Sequence, residues 1–277
     1  MPVEQQTAIQ KRLAIAGLGV IGLRVARYVD QGAVPGWSLS AVASRDAGKA
    51  ARSVADFAAS PEVVTLASIA DVADVVVDCT PASIFREVAS TVIAKGKDLM
   101  PLSVAALLEN MDLVDKARAS GSQIIVPTGA IIGLDTVRAM AVGEVESVTL
   151  ETRKPPGGLA GAPHLVNNGI SVEGLSEAKL VFKGTAREAA RGFPANVNVA
   201  AALSLAGIGP DRTTIEVWAD PAVDRNIQSV TIVSDSGDAK MTIRNVPSVE
   251  NPKTGRIVAQ SVVATLKRMT APMVAGS

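Results

Sequence analysis

The sequence predicts an α/β protein, a doubly wound parallel sheet followed by a second α+β domain with a mixed or antiparallel sheet, and three observations carry that reading. A short apolar run, Leu13–Ala16, stops at a glycine turn, G-x-G-x-x-G at Gly17, Gly19 and Gly22, and continues into a segment with helical patterning. Short apolar runs then alternate with helical patterns, as in a series of strand–helix–strand units. Beyond about residue 140 the pattern changes to period two, the mark of a sheet with one face more polar.

The first strand and its turn have the setting that a dinucleotide fingerprint requires. Gly17 lets the chain turn sharply, Gly19 has no Cβ to obstruct a pyrophosphate, and Gly22 lets the helix pack close to the strand. Free N–H groups of the first helical turn face the phosphates. The expected cofactor contacts are therefore Gly17, Gly19, Val20, Ile21 and Gly22. Strands are expected at Leu13–Ala16, Leu39–Ala43, Val63–Leu66, Val75–Cys79, Leu99–Leu102 and Ile124–Val126, six in all, with helices at Val20–Asp30, Ala47–Ala59, Ile84–Lys95 and Val104–Ala119. Val75-Val76-Val77 has no polar alternation and reads as a strand covered on both faces.

In the second half, alternation marks Glu146–Thr152, Thr214–Ala219, Val230–Val233 and Met241–Ile243 as strands. Lys154–Pro163 is a turn-rich loop, Asn198–Ala206 an Ala/Leu-rich helix, and Lys253–Met269 a final helix. The domain boundary falls near Asp135–Gly143, giving a dinucleotide-binding domain over 1–136 and a second domain over 137–249.

Composition narrows the function classes. The 277 residues suffice for one large or two medium domains, and 48% are apolar, enough for a core. Charges balance at 27 against 27 and only 3% of residues are aromatic, so no nucleic-acid footprint is expected. Cys79 is the single cysteine and His164 the single histidine, which excludes an intramolecular disulfide and the usual structural zinc site. The start of the chain lacks the apolar stretch of a signal peptide. The uncharged stretch Gly192–Pro210 is interrupted by Pro194, Asn196, Asn198 and Gly207, so no membrane span is expected and a cytoplasmic location is the default.

Several residues stand where chemistry is expected. The second strand ends in Ser44-Arg45-Asp46, with Ser44 and Arg45 where an acid would bind the ribose of NAD; a guanidinium there suits the 2′-phosphate and favours NADP over NAD. The alternative is a solvated Arg45 with Asp46 on the ribose. Thr80 and Pro81, at the carboxyl end of the fourth strand, are expected on the nicotinamide side, and Cys79 reads as a packed small hydrophobe rather than a nucleophile. Pro127-Thr128-Gly129-Ala130 is either a loop near the cofactor or an ordinary turn. His164 is the reflex candidate for an acid–base, although a loop histidine is more often simply exposed. Arg153 and Lys154, at a strand end, are either partners for a substrate carboxylate or solvated charge.

The stretches Val77–Ala82 (VDCTPA), Pro127–Asp135 (PTGAIIGLD), Thr152–Gly158 (TRKPPGG), Arg187–Gly207, Ala219–Asn226 (ADPAVDRN) and Glu250–Gly255 (ENPKTG) resemble, in the same order and over nearly the whole chain, those of L-aspartate dehydrogenases. The resemblance implies a Rossmann domain to which a C-terminal helix, 250–277, returns, an α+β substrate domain that carries a homodimer interface, and NAD(P)-dependent oxidative deamination of L-aspartate through iminoaspartate, or the reverse amination of oxaloacetate. The implied partner is thus a small amino or keto dicarboxylate. Carried over by motif, the resemblance implies cofactor contacts at Ala130 and Asn198. It also shows one departure: the family's catalytic histidine, in an Asn-x-His after the ADP segment, is here Gln228 in Asn226-Ile227-Gln228. A glutamine amide donates and accepts hydrogen bonds but carries no proton near neutral pH. Two other readings therefore stand beside the first, a sister oxidoreductase acting on another small carboxylic or imino acid, and a nucleotide-binding protein without catalysis. Substrate contacts are expected at Lys154, Asn226 and His164.

Overall fold

The computed structural model describes residues 10–194, 197–251 and 254–276. In chain order its elements are β1 (Lys11–Ala16), α1 (Val20–Asp30), β2 (Trp37–Ala43), α2 (Ala47–Ser53), β3 (Glu62–Val64), β4 (Val75–Asp78), α3 (Phe85–Ala94), β5 (Asp98–Pro101), α4 (Val104–Leu108), α5 (Asp112–Ser120), α6 (Leu134–Met140), β6 (Val145–Lys154), α7 (Pro163–Asn167), β7 (Lys179–Thr185), α8 (Ala186–Gly192), α9 (Asn198–Ala206), β8 (Thr213–Ala219), β9 (Ile227–Ser234), β10 (Gly237–Arg244) and α10 (Ile257–Thr270). The described residues form two compact units. One holds the residues through Leu102 with Asp112–Ile125 and Val262–Val274; the other holds Ser103–Met111, Val126–Ser261 and the residues from Ala275 on.

The first unit is a five-stranded parallel sheet in the order β3-β2-β1-β4-β5. All four residues of β4 are buried, as its uninterrupted valines require of a strand covered on both faces. Five strands form where six were expected. Ile124 meets Leu99 only as an isolated bridge, through Leu99 N–H to Gln123 O and Ile125 N–H to Leu99 O. The next donors in a parallel ladder would be residues 101 and 127. Both are prolines without an N–H, so the pairing stops. The end of α10 is tied to this unit: Trp37 Nε1 donates to Leu266 O at 2.8 Å and Thr270 Oγ1 to Pro35 O at 2.8 Å.

The helix expected over Val104–Ala119 is two helices. Asn110 Nδ2 donates back to Ala106 O at 2.8 Å, a side-chain substitute for the next helical bond, and α5 starts afresh at Asp112. The helix expected over Ala47–Ala59 ends at Ser53, whose Oγ donates back to Lys49 O. The expected start of the last helix, at Lys253, lies outside the described residues, and α10 begins at Ile257.

The second unit is built on a mixed sheet in the order β10-β9-β6-β8-β7, with β6 and β8 parallel and the other pairs antiparallel. Its buried face reads Val148, Leu150, Thr152 and Lys154 on β6, Ile215, Val217 and Ala219 on β8, and Gln228, Val230 and Ile232 on β9. The aliphatic members of this face share one core with residues of α6, α8 and α9. β7 was not expected, because a bulge between Leu180 and Phe182 turns Val181 and Phe182 inward together and erases the period-two signal.

Candidate active site

In the first unit the glycine turn is shaped by contact rather than by flexibility alone. Gly17 has φ +90°, and a Cβ there would stand 2.8 Å from the Cys79 carbonyl carbon and oxygen, so the turn lies directly on the end of β4. A Cβ on Gly22 would stand 2.0 Å from Gly17 O, whereas around a Cβ on Gly19 there is nothing within 4 Å. Gly19 is the N-cap of the 11-residue α1 and offers no side-chain cap. The arrangement fits a dinucleotide: open space beside the unsatisfied N–H groups at a helix N-terminus is what a pyrophosphate occupies. Val20 and Ile21 form the first helical turn there.

At the end of β2, Ser44 is half-buried and Arg45 exposed. Asp46 is the N-cap of α2, its Oδ1 accepting from Lys49 N at 2.8 Å. At the end of β4, Thr80 is buried and donates through N at 2.9 Å and Oγ1 at 2.5 Å to Asp78 Oδ1, while Pro81 is exposed. Burial pushes the Cys79 thiol up, with the Asp78 charge adding to the effect, which keeps it protonated and unreactive.

Asp78 is a residue the sequence did not single out. Its carboxyl is fully buried, Oδ2 has no hydrogen-bond partner among the described residues, and burial pushes its pKa up to about 6 against the lowering effect of the two Thr80 hydrogen bonds. The folded state therefore holds the proton more tightly than the unfolded chain, whose aspartates titrate near about 3.9. Stability falls as pH rises from about 4 to about 6 and the loss is complete above that range. Asp78→Asn keeps an oxygen for Thr80 and removes the charge. It is expected to stabilise the protein by up to about 3 kcal/mol at pH 7, from a rise of about 2 in pKa at about 1.4 kcal/mol each. The gain should vanish below about pH 4. Urea denaturation of both proteins from pH 4 to 8 tests this; a gain independent of pH would assign it to packing instead.

In the second unit, Ala130 O accepts from Asn245 Nδ2 at 3.0 Å, and Asn198, first residue of α9, accepts through Oδ1 from Ala105 N at 3.0 Å. Asn226 O accepts from Asn245 N. Gln228 is 3% exposed and lies near the start of β9, opposite Thr152 on β6 and Ile243 on β10. Its Oε1 is buried without a partner among the described residues, as are Thr152 Oγ1 and Asn245 Oδ1. Lys154, two residues beyond Thr152 and on the same face, is 5% exposed, and burial alone lowers its pKa to about 8. It is not solvated strand-end charge. Arg153 points to the other face, where it pairs with Glu151 Oε1 at 2.8 Å and Asp220 Oδ2 at 3.0 Å and lies over the Trp218 ring.

His164 is not a loop residue. It stands in the first turn of α7, with its ring packed edge-on against Phe182 at 5.1 Å and tilted against Phe193 at 5.4 Å, beside a groove of about 650 Å³. Phe182 belongs to β7, three strand spacings or about 14 Å from β9, so the sheet does not bring His164 to Gln228. The sequence signal for Thr152 is its place two residues before Lys154 on a period-two strand. Asn245 has no such signal, because only the β9–β10 register carries it to Asn226.

Two family models match most of the chain. Residues 135–269 match the family model described as aspartate dehydrogenase, C-terminal, and residues 17–127 match that of the homoserine dehydrogenase NAD binding domain. The chain is 48% identical to L-aspartate dehydrogenase of Bradyrhizobium diazoefficiens, covering 99% of this chain and 97% of that one. It is 50% identical to L-aspartate dehydrogenase 3 of Bordetella bronchiseptica, with 96% and 97% covered. Its fold is similar to the crystal structure of aspartate dehydrogenase from Thermotoga maritima, at 23% identity and a TM-score of 0.73, over 96% of this chain and 100% of that one. From end to end, the chain belongs to the L-aspartate dehydrogenase family.

Proposed function

We propose that this protein catalyses the NAD(P)-dependent oxidative deamination of L-aspartate to oxaloacetate and ammonium, or the reverse amination. The observation that carries this reading is the near full-length relationship to proteins named L-aspartate dehydrogenase. The open Gly19 position at the N-terminus of α1 supports a dinucleotide. When bound there, the cofactor supplies the hydride acceptor for the substrate α-carbon. The chain's own part is to hold the phosphates on the first-turn N–H groups of α1 and to place hydrogen-bonding groups at the substrate. In this proposal Gln228 orients the substrate or a water through its amide, and Ala130 and Asn198 contact the cofactor. The homodimer and the cytoplasmic location implied by the resemblance belong to the same proposal. The described residues contain no helix long and apolar enough to cross a membrane.

A second reading, a sister oxidoreductase with another small amino or keto acid as substrate, is favoured by one observation, Gln228 in place of the family's histidine. Initial rates with L-aspartate, with oxaloacetate plus ammonium, and with a panel of small amino and keto acids, each with both cofactors, separate the two. The highest kcat/KM for aspartate is expected; a higher value for another acid transfers the protein to the second reading, and tight cofactor binding without turnover to the non-catalytic one.

NADP is the preferred cofactor in this proposal. Arg45 is exposed at the end of β2, and Asp46, the acid that would take a ribose hydroxyl, has Oδ1 engaged at the α2 N-terminus. Arg45→Ala should weaken NADPH by about 1.5–3 kcal/mol, the scale of a charge-assisted hydrogen bond, and leave NADH nearly unchanged. Calorimetric titration with both cofactors checks it; equal losses would mean that Arg45 does not read the 2′-phosphate.

A further inference from the structure

Four buried side-chain atoms of the second unit lack a hydrogen-bond partner among the described residues, and three of them, all oxygens, fall at one corner of its sheet. Thr152 and Gln228 are opposed directly across β6 and β9. Ile243 opposes Gln228 from β10, and Asn245, two residues on, takes the same face. The Asn245 amide is oriented by its Nδ2 donation to Ala130 O, which fixes Oδ1 as the unpartnered atom. Buried acceptors without donors are costly, so such a corner is built for a ligand that brings N–H or O–H groups. Lys154 extends into the same face of β6 from two residues past Thr152.

We infer that Lys154 is the proton carrier of this chain's reaction, its amine exchanging a proton with the substrate nitrogen while the Thr152 and Gln228 oxygens hold that nitrogen. The inference rests on the deamination reading above and deepens it, since it assigns the proton step that Gln228 cannot perform.

The chemistry balances as follows. The Lys154 Nζ lone pair takes one proton from the α-ammonium and becomes an ammonium itself. The freed nitrogen lone pair forms the carbon–nitrogen double bond as hydride leaves the α-carbon, so the substrate loses two electrons and the oxidised nicotinamide is reduced. Water adds to the iminium carbon and one of its protons passes to nitrogen by way of Lys154; as the carbon–nitrogen bond breaks, the remaining hydroxyl proton also passes to nitrogen and the carbonyl forms, so that ammonium leaves. The net change consumes aspartate, water and oxidised cofactor and yields oxaloacetate, ammonium, reduced cofactor and one proton, which Lys154 returns to solvent.

The surroundings suit the role. On β6 the charged neighbours Glu151 and Arg153 occupy the opposite face and pair with each other. Asp220, just past β8, is held by Arg153 at 3.0 Å, and its N donates to Lys154 O. Asp224 and Arg225, before β9, pair mutually. On β9 the same-face residues Gln228, Val230 and Ile232 carry no charge, and α9, which packs over β8, has none at all. Burial lowers the pKa of the amine to about 8, so about a tenth of it is neutral at pH 7 and half at pH 8.

The test compares wild type with Lys154→Met, of similar length, and Lys154→Arg, which cannot release a proton, in aspartate oxidation from pH 6 to 10. Lys154→Met should lower kcat by about 10²–10⁴-fold with KM for aspartate changed less than about threefold, and should remove the limb near pH 8 from the wild-type profile. Ethylamine should restore part of the rate to Lys154→Ala. A Lys154→Met enzyme within about threefold of wild type, or a limb that persists in it, overturns the inference. An assay-independent readout is the ¹³Cε titration of Lys154 in lysine-labelled protein, its resonance identified by its absence from Lys154→Arg; a midpoint above about 10, the ordinary lysine value, also overturns it. Turnover of another amino acid but not aspartate refutes the aspartate reading alone, and the same variants then decide Lys154 on that substrate. A protein that oxidises no amino acid refutes both.

Discussion

Gly19→Val is expected to weaken both NADH and NADPH by at least about 100-fold while leaving the fold standing, and Gly22→Val, three residues on, to do the opposite first and lose the fold. The two positions differ in what a side chain would meet. At Gly19 the space is open and the backbone is extended, with φ −72° and ψ −170°, which valine adopts without strain. The folding cost is that of a poor N-cap, about 1 kcal/mol, or a fall of about 2–4 °C in Tm for a chain of this size. What valine removes is the approach of the pyrophosphate. At Gly22 the added Cβ would stand 2.0 Å from Gly17 O and 3.2 Å from Ile15 Cγ2. Backbone oxygen cannot rotate away, so β1 and α1 must separate, at a cost of about 3 kcal/mol or more. Thermal unfolding with calorimetric titration of each cofactor separates the two effects. Unchanged affinity in Gly19→Val would remove the glycine turn from the binding site, and equal Tm losses in both variants would mean that the close contact at Gly22 does not decide the packing.

Those glycines were legible because the reason for each is local: strand, turn and helix are consecutive in the chain. The same holds for β4, whose three valines announce burial on both faces, and for β6, β8 and β9, whose alternation is regular. Where the reason is not local, the reading stopped short. The apolar run at Ile124 has the composition of a strand, yet it fails as one because Pro101 and Pro127 occur at matching places in two segments that pair only once folded. Val181 and Phe182 hide β7 because a bulge depends on the partner strand. In the candidate site, Gln228 stood out as a departure from the family pattern. Nothing in the linear sequence shows that Thr152 is its cross-strand neighbour, that Asn245 joins them, or that Lys154 at a strand end is buried rather than solvated. Pairing register and burial are tertiary quantities, and they turn four scattered polar residues into one corner.

In a Lys154→Met background, Gln228→His is expected to restore at least about tenfold of the lost aspartate oxidation, with a pH profile rising through the imidazole pKa instead of the limb near 8. The reasoning is geometric. Gln228 is directly opposite Thr152, and Lys154 is two residues along the same face, so the two side chains are diagonal neighbours about 7–8 Å apart at the backbone, within reach of one small ligand between their tips. Either position can therefore serve one substrate nitrogen. Burial at position 228, only 3% exposed, disfavours the imidazolium, so the new limb should lie at or below about 6.5. In the wild-type background the same substitution should bring no gain in kcat, because Lys154 already moves the proton and the loss of the Gln228 oxygen loosens the hold on the substrate nitrogen. This asymmetry separates a shared proton duty from a general benefit of histidine. A similar gain in both backgrounds would mean that Gln228 limits the reaction and Lys154 does not carry its proton. A double variant that is folded, binds NADPH like wild type and is no faster than Lys154→Met would place the substrate nitrogen out of reach of position 228.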